Sequence, residues 1–287
     1  MKRKNPIIKI ISIILAVVIL VNVVGIGLNA LTELSAYKNA VVVNEEEWKL
    51  LVHKMKQGSL LDEDEYYTVF TQTGLGKTVV ENLILSGDVA TIEYYHDYYT
   101  MEKDYECVRE TFLAHHEYIT DSAGKRITNP DFVDLQNGDI LITLSIHSYG
   151  WRHGHCAIVT DASNGQLAQA VMIGEPSDFG NIIEWKNYPL VAVLRAKNLD
   201  ANQRNNVANF VKNGMIGIEY SLLAGVFDGR DIDKPLKSTQ CAHFVWYAYM
   251  QLGIDIDSNG GIKTTPKDIL KSEELEIIQV YGNIMEM

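Results

Sequence analysis

The chain has 287 residues, 47% of them hydrophobic and 22% charged, which suffices for one large or two modest domains with a real core and is too apolar for a disordered tail. Thirty-seven acidic residues against 25 basic ones give a formal charge of -12, which argues against a nucleic-acid partner that needs a basic stripe. Three cysteines, none in a Cys-x-x-Cys pair, are too few for a disulfide scaffold and leave at least one thiol free.

Residues 1–32 read as a membrane-targeting segment. Lys2, Arg3, Lys4 and Lys9 precede an apolar run from Ile10 to Leu28, and no acidic residue stands before Glu33. The positive end belongs in the cytoplasm and the rest of the chain outside. The run is near the roughly 20 residues that span a bilayer, longer than the apolar part of an ordinary secretory signal. Two expectations follow: an anchor that holds the protein on the extracellular face of the membrane, or a signal whose cleavage after Ala30 or Ala36 would secrete it.

Residues 33–130 read as a helical region, with helical character from Val41 to about Tyr118. Trp48, Leu50, Leu51 and Met55 recur at helical spacing behind an acidic start. Thr73-Gly74-Leu75-Gly76-Lys77-Thr78 invites a phosphate-loop reading, but that pattern requires glycine at position 71, where Thr71 stands. A turn followed by a helix from Val79 to Ile84 accounts for it, and nucleotide binding is rejected. The run Tyr94 to Tyr99 is read as half-buried packing. Asp121 to Asp131 is a turn-rich connector that marks a domain boundary, so the second domain is taken as residues 131–287.

In that domain the apolar runs Ile140 to Leu144, Ala157 to Thr160, Gln166 to Met172 and Leu190 to Arg195 predict four strands of an antiparallel sheet. Asn164-Gly165 supplies a hairpin turn between the second and third. Helices follow from Asp200 to Lys212 and from Cys241 to Leu252, each with a polar start and a glycine stop, and a last strand runs from Glu276 to Tyr281. Grouped strands and grouped helices indicate an α+β fold.

The chemistry centres on two segments. Ser238-Thr239-Gln240-Cys241 puts a cysteine at a helix N-terminus, behind hydroxyls suited to capping, where unpaired amides and the helix dipole stabilise a thiolate. Gly154-His155-Cys156-Ala157 puts a histidine at a strand start, where its ring can face such a helix and act as base. Gln169, on the strand after the Asn164-Gly165 turn, is the first choice to orient that ring, and Glu175 the second. Gln240, beside the thiol, and Trp151, just before the histidine, are candidate substrate contacts.

Together these residues resemble the NlpC-type papain-like cysteine peptidases. The resemblance is carried by Gly138-Asp139-Ile140-Leu141, by Gly154-His155-x-Ala157-Ile158-Val159, by Asn164-Gly165 with Gln169-Ala170, by Tyr220 and by Cys241-Ala242-x-Phe244-Val245-Trp246. His155 precedes Cys241, the order of the circularly permuted, YiiX-like branch, to which lecithin:retinol acyltransferase is more remotely similar. The likeness spans Asp134 to Tyr281. It implies a papain-like domain with Cys241 as nucleophile, His155 as general base, Gln169 as the orienting group and Tyr220 lining the site. It also implies peptidoglycan peptides or an acylated substrate as partner and requires no cofactor. Ala242 stands where serine is familiar, and Gln169 where His, Asn or an acid is commoner.

Three functions are compatible with this pattern: a cell-surface cysteine amidase or peptidase, a thiol-dependent lipid acyltransferase or hydrolase, and an inactive binding module. No metal is assigned. His147, His153, His155 and Cys156 lie close in sequence, but neighbours on a strand face opposite sides, so His155 and Cys156 cannot easily share one ion, whereas His153 and His155 could. By the same argument Cys156 is a packed strand residue whose change to alanine leaves the chemistry nearly unaltered. His243 falls on another helical face from Cys241, and Cys107 has no evident partner.

Overall fold

The computed structural model describes residues 6–36, 44–111, 114–226 and 232–286. Lys2, Arg3 and Lys4 of the basic leader lie outside them. The first element, α1 (Pro6–Ala36), contains one apolar segment, Lys9–Leu28, with a mean hydropathy of 2.9, long and apolar enough to cross a membrane. It meets the rest of the chain at Gly25, where the Tyr149 ring packs so closely that a Cβ would overlap it.

Four helices follow: α2 (Glu45–Lys56), α3 (Glu63–Thr73), α4 (Lys77–Ser86) and α5 (Val89–Thr100). Acidic first turns open α2 and α3, and Asp62 closes a capping box on α3 with Glu65. The glycines between α3 and α4 serve a turn that lies along the sheet edge. Gly74, at φ 70°, ends α3, and its carbonyl accepts from Val280 at 2.7 Å, while the Gly76 amide donates to Ile278 at 2.8 Å. Helical structure then stops at Thr100. The stretch read as helical up to Tyr118 instead forms the hairpin β1 (Asp104–Arg109) and β2 (His115–Thr120), whose Tyr105, Val108, Tyr118, Ile119 and Thr120 suit strands. Three of the α5 tyrosines pack, Tyr95 buried and Tyr98 and Tyr99 half-buried, while Tyr94 is exposed; Tyr98 donates to Asn129 Oδ1 at 2.8 Å and Tyr99 to the Gly282 carbonyl at 3.0 Å.

Past the connector come β3 (Ile140–Thr143), β4 (Ile146–His147), β5 (His155–Asp161), β6 (Gln166–Gln169), β7 (Asp178–Asn181), α6 (Ile182–Trp185), β8 (Val191–Ala196), α7 (Ala201–Gly214), β9 (Glu219–Tyr220), β10 (Ser238–Thr239), α8 (Cys241–Met250), α9 (Pro266–Leu270) and β11 (Leu275–Tyr281). The main sheet has the order β11-β8-β3-β5-β6-β7, antiparallel throughout, which is the α+β arrangement expected. The β5–β6 hairpin turns at Gly165, which adopts φ 65°. β4 leaves this sheet and joins β1 and β2 in a second one, ordered β1-β2-β4.

Both faces of the main sheet are covered, which is why its central strands read as unbroken apolar runs. One face, through Ile140, Ile142, Cys156 and Ile158, packs on α7 and α8. The other, through Leu141, Ala157, Val159 and Val191, packs on residues of the N-terminal helices such as Trp48, Val69 and Ile92. Helix α8 is buried from Cys241 to Tyr249 without a polar face, because it lies inside the first of these layers. A buried ion pair joins the strands at the sheet centre: Arg195 on β8 donates to both carboxylate oxygens of Asp139 at 2.8 Å and to Asp134 at 2.8 Å.

Candidate functional site

Cys241 is the first residue of α8, so its side chain sits where the helix leaves its amides unpaired. The capping group is the side chain of Gln240, not the hydroxyls of Ser238 or Thr239. Gln240 Oε1 accepts from the Ala242 amide at 2.9 Å and lies 3.6 Å from Cys241 Sγ, while its Nε2 donates to the Thr264 carbonyl at 3.0 Å. Gln240 is thus buried and committed to holding the helix end. The Thr239 hydroxyl turns instead to His243 Nδ1, at 3.3 Å, and His243 stacks on Trp246, away from the thiol as its helical position requires.

His155 opens β5 directly after Gly154. That glycine adopts φ 67°, and a Cβ there would collide with the Thr143 carbonyl on β3, so the turn into the strand demands glycine. The imidazole Nε2 lies 2.8 Å from Gln169 Oε1 at the end of β6. An amide oxygen only accepts, so this contact puts the ring proton on Nε2 and leaves Nδ1 for the Cys241 sulfur. Trp185 stacks on the ring with centroids 5.5 Å apart, closing its far side. Gly180 on β7 makes room for Gln169: a Cβ at that position would stand 2.6 Å from the Gln169 amide nitrogen.

The third participant is Cys156. Its thiol and its backbone amide both hydrogen-bond to Cys241, and these bonds, against burial and together with the bond and charge of His155, hold the Cys241 thiol well below its ordinary pKa. Burial, with the bond and charge of the neighbouring Cys241, pushes the Cys156 thiol well above its own. For His155, burial alone would lower the pKa, but hydrogen bonding and charge from Cys241 with the Gln169 bond leave it raised. Cys156 is packed in the core, as expected for a strand residue, and it also neighbours the Cys241 sulfur. It faces the core layer beneath α8, as strand alternation requires, and that is where Cys241 lies. His155 reaches the same sulfur from the end of the strand.

Other expected residues are distributed around this pair. Tyr220, at the end of β9, is half-buried, and burial first and then the proximity of Cys241 and Cys156 raise its hydroxyl pKa, which sets the phenol near the thiols. Gln169 forms one wall of a cleft of about 340 Å³ whose lining includes Val171, Glu175, Asp178 and Phe179. Glu175 thus belongs to the cleft, and Gln169 is the residue within hydrogen-bond distance of His155. Trp151 is exposed on the loop between β4 and β5, tilted against His153 at 5.6 Å. His153 bonds to Ser148 Oγ at 3.2 Å, and burial lowers its pKa. The sequence argument missed Cys156 and Trp185. A cysteine beside the histidine was the visible signal for the first, while the second lies 30 residues away without a motif.

The arrangement can favour a thiolate in a buried setting and hold an imidazole in one tautomer beside it, with a mixed polar and apolar cleft on the Gln169 side. Compared with protein-family models, with curated proteins and with solved structures, the chain matches none of them.

Proposed function

We propose that the chain is a membrane-anchored cysteine hydrolase of papain-like, circularly permuted type, which cleaves amide bonds in cell-wall peptides on the outer face of the membrane. The observation that carries the reading is the thiol of Cys241 at the start of α8, depressed in pKa and bonded to His155, whose other nitrogen is held by Gln169 at 2.8 Å. In the reaction the Cys241 thiolate attacks the carbonyl carbon. The amide of Cys241 itself serves as the oxyanion donor, since that of Ala242 is already bonded to Gln240. The His155 imidazolium gives its proton to the departing amine, leaving a thioester. Neutral His155 then takes a proton from water, whose oxygen attacks the thioester, and the acid product leaves with the thiol restored.

Two features favour a peptide carrying a positive group. Glu175 and Asp178 line the cleft beside Gln169, and the chain has a net charge of -12. Tyr149 packs on α1 at Gly25, which sets the loop preceding His155 close to the apolar segment and hence to the membrane surface. Val171, which lines the same cleft, and the exposed Met172 and Ile173 that follow it in the chain favour the alternative of an acylated lipid as substrate. The test is turnover by the full-length protein in detergent micelles, offered muropeptides in one series and acyl-lipid esters in another, with Cys241→Ala as control. Amine release from muropeptides that vanishes in the variant supports the proposal. Ester cleavage alone would favour the lipid reading, and activity that survives Cys241→Ala would overturn both.

A further inference from the structure

The second sheet gathers a different set of side chains. Cys107 on β1 stands opposite Glu117 on β2, and His115 on β2 stands opposite His147 on β4. His115 and Glu117 are two residues apart on one strand, so all four project from the same face. Cys107 Sγ lies 3.8 Å from His115 Nδ1 and 3.6 Å from His147 Nε2, and the three donor atoms are all within 4.8 Å of one another. Zinc bonds of about 2.3 Å to sulfur and about 2.0–2.1 Å to nitrogen, arranged tetrahedrally, place sulfur and nitrogen about 3.6 Å apart. A thiol can meet both rings only by donating to one and accepting weakly from the other, whereas a metal ion would engage all three donor atoms at once.

We propose that Cys107, His115 and His147 bind one divalent transition-metal ion of the zinc class, with the fourth position left to water. One thiolate and two imidazoles suit zinc, and do not suit magnesium or calcium, which require oxygen ligands. His147 is fully buried, while Cys107 and His115 are partly exposed and give the ion a way in. Glu117, 1% exposed, stands beside the site: its Oε1 lies 3.7 Å from His147 Nε2, and both its oxygens are bonded at 2.6 and 2.8 Å to Arg152, which offsets its charge. Binding displaces the Cys107 proton to solvent and forms a metal–thiolate bond. The bound ion ties the β1–β2 hairpin to β4, from which the chain runs through Trp151 to His155. The site shares no residue with the Cys241 cluster, so it stands or falls independently of the proposed hydrolase.

The test uses the full-length protein in detergent micelles, stripped with chelator and then titrated with cobalt(II) and with zinc(II). The expected result is one metal per chain, a thiolate-to-cobalt charge-transfer band that zinc abolishes, and the same behaviour in Cys241→Ala. Cys107→Ser removes the band, and His115→Ala weakens zinc binding at least ~10-fold, in keeping with the loss of one of three ligands. Because His147 is buried, His147→Gln is read alongside its circular dichroism without metal. Should that variant fail to fold, the partly exposed His115→Ala decides. Cobalt bound without a thiolate band, a band that survives Cys107→Ser, or affinity unchanged in His115→Ala would overturn the proposal.

Discussion

Removing the Cys156 thiol tests the electrostatic picture most directly, because it leaves Cys241, His155 and Gln169 in place. In Cys156→Ala the thiolate of Cys241 loses a side-chain donor and keeps the backbone amide and the imidazole. A hydrogen bond to a charged group contributes about 1.5–3 kcal/mol. At about 1.4 kcal/mol per pKa unit, the Cys241 pKa should rise by about one to two units. Below that pKa the thiolate fraction falls about tenfold per unit, so alkylation at acidic pH should slow by roughly 10- to 100-fold. The assay is the pH dependence of iodoacetamide labelling of the full-length protein, with mass mapping of the modified cysteine. Cys156→Ser returns a donor to the same place and should recover most of the rate, which separates the lost bond from the small cavity left by the sulfur. A labelling profile in Cys156→Ala that superimposes on that of the unaltered protein would refute the assignment of Cys156 as donor.

The proposed reaction requires the thiolate and the imidazolium together. Activity should therefore be bell-shaped in pH: it falls on the acid side as the depressed Cys241 thiol is protonated, and on the alkaline side as His155, raised above its ordinary value, loses its proton. Gln169→Ala removes a bond that raises the His155 pKa, so its alkaline limb should move to lower pH, with a loss in rate of roughly fivefold for about 1 kcal/mol of lost orientation; an unmoved limb would argue against that role. Gly180→Ala should mimic this effect without touching the pair, since the new Cβ would stand 2.6 Å from the Gln169 amide nitrogen and displace it, as a pH–rate profile would report. Asp139→Ala leaves Arg195, 5% exposed, with Asp134 as its remaining acidic partner and should lower stability by about 1.5–3 kcal/mol in a denaturant titration, and a loss below about 1 kcal/mol would mean that the Asp139 pair is solvated.

Much of this architecture is written in local patterns. The apolar runs that form β3, β5 and β8, the Asn164-Gly165 turn and the glycine that ends α8 depend on neighbours in sequence, and periodicity exposes them. The hairpin of β1 and β2 does not share this property. Its strands alternate only weakly, lie close behind the helix α5, and are defined by the third strand, β4, which branches off after β3. The cluster of Cys107, His115 and His147 was hidden for the same reason: its members span 40 residues and meet only through two strand registers.

Cys156 shows how far a local rule reaches. Strand alternation does separate His155 from Cys156, and the cores confirm it, with Cys156 in the layer under α8 and the His155 ring against Trp185, which belongs to the other. That alternation is why the two side chains cannot easily share one ion. Both can still neighbour the Cys241 sulfur, because at the first residue of β5 the long imidazole can reach past the strand's end. Cys241 is placed at that point by the cap of Gln240 and by the bond of Tyr249 Oη to the Gly138 carbonyl, which anchors the far half of α8 to the start of β3. A shared sulfur is thus a consequence of where a helix begins relative to where a strand begins. That offset is set by packing across more than 80 residues of chain, and no spacing within either motif encodes it.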